Sequence, residues 1–336
     1  MILIDAMYIN DSGGKILLDY LISNIEKGKI STYYLLDKRM QKRHNLISNN
    51  LVKYLDAGLH NRLWFYFKHR NYFTRVLCFG NLPPMIKLSA TIFTYFHQPM
   101  FLKIPEEVPF KNKVLIFAKT FVLRRLMKNT NFWLVQSNLI KNEFISKFNL
   151  KNEKAVFVLP FYPPIRAFSY VKRIKKRFIY VSNGEIHKNH EKLMQAFQLF
   201  YDKHSIGDLH LTIGPAYINL IDKIKELNKK GYPIKNHGFI KRNALAKIYH
   251  SSEFAIYPSL TESFGLGIVE ALDCGCKIIG ADRPYIHAIC EPSGLFNPES
   301  IGEIVMAMEK AVFEDTKPSK KLVHNEIDRL INFLNE

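Results

Sequence analysis

The chain has little of what a secreted, metal-bound or membrane-spanning protein needs. It holds four cysteines, and Cys274 and Cys276 stand a single residue apart with no second pair, too close for zinc-ligand spacing. Cys78 and Cys290 are isolated, so neither a metal set nor a disulfide framework is indicated, and a reduced, cytoplasmic chain accounts for all four. Long apolar runs are missing too: the longest uncharged stretch, 88–102, is too short to span a bilayer and contains His97, Gln98 and Pro99. At the start, Met1-Ile2-Leu3-Ile4-Asp5 has an acidic residue where a secretory leader continues apolar, and it reads as a first strand.

Negative charge is also scarce. Lys and Arg number 48 against 30 Asp and Glu, a net charge of +18; residues 1–165 carry 24 against 10, and residues 166–336 carry 24 against 20. The basic groups crowd at Lys38-Arg39-Met40-Gln41-Lys42-Arg43-His44, at Lys68-His69-Arg70 and at 124–128, interleaved with Leu51, Trp64, Phe65, Tyr66, Phe67, Tyr72 and Phe73. Such a surface suits an anionic membrane, with aromatic rings at headgroup depth and Lys/Arg on lipid phosphates. A solvated basic face over an ordinary core is the plainer alternative. Nucleic acid ranks below both, because no helix-turn-helix, zinc or aromatic-strand RNA module is visible.

What is present is alternation. With 336 residues and 47% hydrophobic content, the chain can bury two cores, which predicts two domains of about 160 residues. Apolar runs at 1–5, 32–36, 76–79, 91–96, 132–135 and 156–159 read as strands, and helical patterns fall at 15–26, 61–67, 113–127 and 138–148. Pro160-Phe161-Tyr162-Pro163-Pro164 followed by Lys172-Arg173-Ile174-Lys175-Lys176-Arg177 marks a linker. The second half repeats the pattern, with strands at 178–181, 209–213, 254–257 and 277–281, helices at 191–200, 217–229, 243–250 and 267–272, and closing helices at 301–312 and 320–333. The fold class expected is α/β, two Rossmann-like domains at 1–165 and 166–336, with ligands at the carboxyl ends of the strands.

The most informative stretch runs from Tyr257 to Leu272. A buried strand ends at Pro258 and Ser259, and Gly265 and Gly267 open a helix whose first amides and dipole form an anion site, with glycines that let phosphate approach the backbone. Glu262 lies before the turn and Glu270 inside the helix, so the two carboxylates can flank one extended ligand.

At these residues the chain resembles the retaining nucleotide-sugar glycosyltransferases of family 4, which carry Glu-x7-Glu on a GT-B scaffold. Ser259, Glu262, Phe264, Gly265, Glu270-Ala271 and Gly275 stand where that family's pattern places them. The resemblance implies that the parallel sheets face a central cleft. It also implies that the first domain binds acceptor, the second binds the nucleotide sugar, and the last helix can cross back to the first domain. Glu262 would meet the donor hexose and Glu270 the ribose, with Ser263, Phe264, Gly265 and Leu266 in the donor site.

Further features fall at strand ends. Asp11-Ser12-Gly13-Gly14-Lys15 lets a backbone approach a phosphate or an acceptor, or is a plain loop; the family carries a Gly-Gly loop here. His97, in Tyr95-Phe96-His97-Gln98-Pro99, is by itself as well explained as a structural residue, but the family places a His near the donor hexose at this point. Lys188 can neutralise charge on a departing diphosphate, and the family places a Lys there, commonly followed by Gly or Asn. Ser182 occupies the place where many members have an Arg, so His187 or His190 are the nearby candidates for the missing charge, and Asn189 reads as a helix cap. In His237-Gly238-Phe239-Ile240 the family's loop contacts the base through its backbone, which leaves UDP- and GDP-sugars equally open.

Asp-x-Asp, which holds divalent metal in the other major glycosyltransferase fold, is absent, so no divalent metal or cofactor is expected. The resemblance implies retaining transfer of a hexose, without a protein nucleophile, to a lipid-linked oligosaccharide. The reaction would serve O-antigen, lipopolysaccharide or capsule synthesis, by a peripheral protein at the inner face of the cytoplasmic membrane. Two alternatives remain open: a GT-B nucleotide-sugar epimerase, a group that lacks Glu-x7-Glu, and a basic nucleic-acid-binding protein.

Overall fold

A computed structural model describes residues 1–10, 12–43, 50–104, 108–165 and 171–336. It divides into two compact units, Met1–Pro163 with His324–Glu336, and Pro164–Val323. The boundary expected at 165/166 abuts residues 166–170, which lie outside the described residues, as do Asp11 of the Gly-Gly segment and His44 of the first basic cluster.

The first unit runs β1 (Ile2–Ala6), α1 (Ser12–Lys27), β2 (Thr32–Asp37), β3 (Leu51–Leu55), α2 (Leu59–Lys68), β4 (Arg75–Cys78), β5 (Thr91–Phe96), α3 (Phe110–Leu126), β6 (Phe132–Val135), α4 (Asn138–Phe148) and β7 (Val156–Val158). Its seven strands form one parallel sheet in the order β3-β2-β1-β4-β5-β6-β7. The inner strands read as continuous apolar runs because helices cover a parallel sheet on both faces. β3 did not stand out in the sequence: Leu-Val-Lys-Tyr-Leu is an edge strand with Leu51 and Val52 exposed. α1 starts three residues earlier than its pattern, so Gly13 and Gly14 lie in its first turn.

One expectation needs correction here. Phe65, Tyr66 and Phe73, counted with the basic surface, are buried: they pack with Leu3, Leu35 and Ile92, and only Leu51, Trp64, Phe67 and Tyr72 of that group are exposed. An amphipathic helix turns adjacent aromatics to opposite faces, which composition alone does not resolve. The proline segment contains the boundary between the two units, at Pro163/Pro164, but its first part is not solvated. Phe161 is fully buried against Tyr95 and Phe79, and Tyr95 Oη donates to Leu159 O at 3.3 Å.

An ion pair sits inside this unit. Arg62 and Asp5 are 1% and 2% exposed, with Nε to Oδ2 at 2.7 Å. The guanidinium also donates to Pro83 O at 2.9 Å and Leu82 O at 2.7 Å, and Tyr66 Oη donates to Asp5 Oδ2. It thus fastens α2 to β1 and to the turn after β4.

The second unit contains β8 (Ile174–Tyr180), α5 (His190–His204), β9 (Asp208–Leu211), α6 (Ile218–Lys229), β10 (Ile234–Asn236), α7 (Arg242–Ser251), β11 (Ser252–Tyr257), α8 (Leu266–Asp273), β12 (Lys277–Ala281), α9 (Pro284–Ile289), β13 (Cys290–Glu291), β14 (Gly294–Phe296), α10 (Ile301–Phe313) and β15 (Lys320–Lys321). Six strands form a parallel sheet, β10-β9-β8-β11-β12-β14, while β13 and β15 pair antiparallel. The basic run 172–177 is mostly the exposed entry of β8, where Arg177 pairs with Asp208. The helix expected at 320–333 is only α11 (Ile327–Asn335), which belongs to the first unit. Residues 320–322 are extended because β13 and Ile289 O take their backbone groups. All four cysteines are buried free thiols.

Candidate active site

The segment that connects β11 to α8 is built around one glycine. Gly265 caps α8 at φ +66°, and a Cβ there would stand 2.7 Å from Ile289 Cδ1 and 2.8 Å from Ile268 Cδ1, so a side chain is refused by conformation and by space. The amides of Ile268 and Val269 close back on Gly265 O at 2.8 and 3.3 Å. The amides ahead of them have no acceptor within the helix and carry the positive end of its dipole. At the other end of α8, Arg173 donates to Cys274 O and Gly275 O at 2.6 and 2.5 Å, which holds the helix against its C-terminal turn.

Glu262 and Lys188 form a pair: Nζ lies 2.7 Å from both carboxylate oxygens. Behind them, Ser259 Oγ donates to Glu262 Oε1 at 2.7 Å. That commits the serine proton, so Tyr180 Oη shares its single proton between Ser259 Oγ at 2.7 Å and Lys188 O at 3.0 Å. Tyr285 Oη donates to Ser259 O at 2.8 Å, and Leu260 N to His187 O at 2.8 Å, so β8, the β11 turn and α9 all bear on the pair. Asn189 stands at the N-cap position of α5, as expected, but its side chain makes no capping bond. Its side chain donates instead to Pro258 O at 3.2 Å and Pro298 O at 2.7 Å, which ties the Lys188 loop to two others.

Neither nearby histidine supplies the charge missing at Ser182. Burial depresses His190 to about 4 and holds its Nε2 against Asn183 O at 2.7 Å; burial and the neighbouring Lys188 lower His187 as well. Ser182 itself hydrogen-bonds locally, its amide to Thr212 Oγ1 at 3.1 Å and its hydroxyl to Asn183 O at 3.0 Å.

Glu270 sits one turn inside α8, 4% exposed, with Oε1 2.5 Å from Arg242 Nη1 at the start of α7. Burial raises its pKa to about 7 against the opposing pull of Arg242. The turn that leads into α7 contains Gly238 at φ +65° and Phe239, which is 88% exposed. Asn236 steadies this turn, its Oδ1 accepting from Ile213 N at 2.8 Å and Gly238 N at 3.2 Å.

In the first unit, His97 follows β5. Its amide donates to Asn81 Oδ1 at 2.7 Å, and Nε2 lies 3.0 Å from Phe79 O. A carbonyl only accepts, so Nε2 carries the proton, while burial lowers the pKa and leaves Nδ1 an acceptor. Gly14 is beside it: a Cβ there would lie 3.7 Å from His97 Cε1, whereas one at Gly13 would meet nothing within 4 Å.

Residues 164–329 match the family described as Glycosyl transferases group 1. The second unit is a group 1 glycosyltransferase domain. Among curated relatives, the serotype-specific mannosyltransferase WbdA of Escherichia coli is 32% identical over 79 residues, 23% of this chain and 10% of that protein. The O-antigen chain mannosyltransferase RfbU of Salmonella typhimurium is 21% identical over 190 residues, 53% of this chain and 50% of that protein. The chain therefore spans half or less of these two relatives. Among solved structures, the sucrose-phosphate synthase of Thermosynechococcus elongatus superposes with a TM-score of 0.71 at 15% identity, covering 93% of this chain and 90% of that one. Anabaena HepE, solved with UDP and glucose, gives 0.66 at 12% identity, covering 94% and 90%. These likenesses show the fold, GT-B.

Within the glycosyltransferase domain the structure brings together Lys188, Glu262, Ser263, Phe264, Gly265 and Leu266, with Glu270 further along the same helix; Ser182 lies two residues past the end of β8. Gly238 and Phe239 occupy a separate turn, linked to Glu270 through Arg242. Arg242 and Tyr180 were missed by sequence reasoning. Arg242 lies 28 residues from its partner, with no local pattern to connect them, and Tyr180 reads only as an apolar strand residue.

Proposed function

We propose that the protein is a retaining, metal-independent glycosyltransferase that moves a hexose from a UDP- or GDP-sugar to a lipid-linked oligosaccharide in surface-polysaccharide assembly. The observation that carries this is the convergence of Lys188, Glu262 and the first turn of α8 at the carboxyl ends of β8 and β11, with Glu270 on the same helix. The first-turn amides receive the diphosphate, and Lys188 is the cation beside it. Glu262 orients the hexose, Glu270 takes ribose hydroxyls, and the 238–239 turn meets the base. Gly13, Gly14 and His97 are the first unit's share of substrate binding. The mannosyltransferase relatives make a mannosyl donor the first to try.

In the transfer, the acceptor oxygen bonds to the anomeric carbon on the face from which the diphosphate departs. The carbon–oxygen bond to the diphosphate breaks, and the hydroxyl proton passes to a diphosphate oxygen. Lys188 and Glu262 are paired, so donor binding exchanges that ion pair for contacts to diphosphate and sugar.

Among the described residues no helix is long and apolar enough to cross a membrane. Exposed Trp64, Phe67 and Tyr72 flank Lys68 and Arg70, and α3 exposes Phe110, Phe117 and Phe121 beside Lys111, Lys113 and Lys119. These support peripheral binding at the inner face of the cytoplasmic membrane.

A thermal-shift screen of UDP, GDP, ADP and dTDP with their sugars tests the reading. One base series raises Tm, since ligand at a hundred times Kd stabilises the fold by about 2.7 kcal/mol. No shift with any of them contradicts it. Turnover with that donor persists in EDTA; complete loss that added metal reverses would overturn the metal-free mechanism.

A further inference from the structure

Arg242 opens α7 immediately after the 238–241 turn, and its guanidinium reaches across to the buried Glu270 on α8. We propose that Arg242 is a positioning residue of the donor site, which anchors the base-side turn to Glu270, favours the ionised form of that carboxylate and orients it for the two ribose hydroxyls. This rests on the reading of Glu270 as the ribose ligand.

The geometry makes the role specific. A carboxylate that is 4% exposed needs a partner to stay charged, and the partner comes from another helix rather than from α8. One end of the guanidinium's element is the turn carrying Gly238 and Phe239, so a single side chain fixes the distance between the base contact and the ribose contact. An ionised carboxylate accepts from two hydroxyls at once, and hydrogen bonds to a charged acceptor are about twice as strong as neutral ones.

The other groups around Glu270 do not replace Arg242. Tyr249 of α7 and Tyr257 of β11 face it from buried positions that raise both well above 10, so they remain neutral. Cys274 is pushed to about 12 by burial, and Asp273 is paired with Lys321 of β15. Glu270 itself, raised to about 7 by burial against the pull of Arg242, is the member of this group that titrates near neutrality. Because its folded pKa is raised, the carboxylate form is lost as pH falls through that value, and removing the guanidinium moves the loss to higher pH.

The test uses the full chain and two variants. Arg242→Gln keeps a hydrogen-bond donor without the charge, and Arg242→Lys keeps a charge. In ligand-free protein the carboxyl carbon of Glu270, assigned with Glu270→Gln, is titrated by NMR. Its midpoint rises by about one to two pH units in Arg242→Gln and returns most of the way in Arg242→Lys. Calorimetry with UDP and with GDP follows from about pH 6 to about pH 9.5. Arg242→Gln binds about five- to fiftyfold more weakly near pH 7 and within about twofold of wild type near pH 9.5. An unmoved midpoint, or the same loss of affinity at every pH, overturns the proposal; the second outcome marks a purely structural arginine. If wild type binds neither nucleotide, the donor-site reading fails and takes the ribose role with it, while the carbon titration still decides whether Arg242 favours the charged form of Glu270.

Discussion

Lys188→Ala lowers turnover by about a hundredfold to a thousandfold, the usual loss when one preorganised electrostatic group is removed from a developing anion, roughly 3–4 kcal/mol of barrier. The size follows from its surroundings. Neither His187 nor His190 is positioned to carry charge at neutral pH, and Ser182 is neutral, so these neighbours of Lys188 cannot take over its role. The fold survives the change, because Tyr180, Ser259 and Asn189 hold the two loops through bonds that do not involve the Lys188 ammonium. Steady-state release of the nucleoside diphosphate measures the effect, with a thermal melt to check folding. Lys188→Arg recovers part of the rate, since the charge returns with a different shape. Turnover of Lys188→Ala within about fivefold of wild type would place the cation elsewhere.

Asp5→Asn has the largest effect on stability, a loss of about 3–5 kcal/mol. The pair it breaks is almost completely inside the first unit, and the two partners are not equivalent. A carboxyl group stripped of its guanidinium can take up a proton and become neutral, but a guanidinium stripped of its carboxylate has no neutral form to adopt. Arg62 would keep its bonds to Leu82 O and Pro83 O, which serve two of its five N–H groups and leave the charge uncompensated. Arg62→Met, which removes the cation and roughly keeps the volume, is therefore the milder change. Urea unfolding of both variants decides the order, and an Asp5→Asn loss below about 1 kcal/mol would mean that water reaches the pair.

Much of the fold is legible in the sequence for a physical reason: buried parallel strands are short apolar runs, and the helices between them keep their own period. The segment from Tyr257 to Leu272 was legible as strand, turn and helix, because Gly265 serves a local backbone need at φ +66°. What was not legible depends on distant partners. Leu51–Leu55 is a strand because β2 lies beside it, not because of its own pattern. Residues 320–322 look helical, but their backbone is taken by β13 and Ile289, about thirty residues earlier in the chain. The site divides in the same way. Glu262, Glu270, Lys188 and His97 stood out by type and place, while the Lys188–Glu262 pair, the Tyr180–Ser259 support and Arg242 exist only across loops and helices. Charge run and aromatic content located the basic surface, but not which of its rings face inward, since Phe65 and Phe67 differ only in helical phase.

The central claim is that the Lys188, Glu262 and α8 cluster, together with Glu270, is a nucleotide-sugar site, and calorimetric titration of nucleoside diphosphate tests it most directly. Wild type binds UDP or GDP, and Lys188→Ala and Glu270→Ala each bind it more weakly by about tenfold or more, as the loss of a charged hydrogen bond requires, with melting curves that remain cooperative. Equal affinity in wild type and both variants would contradict the account.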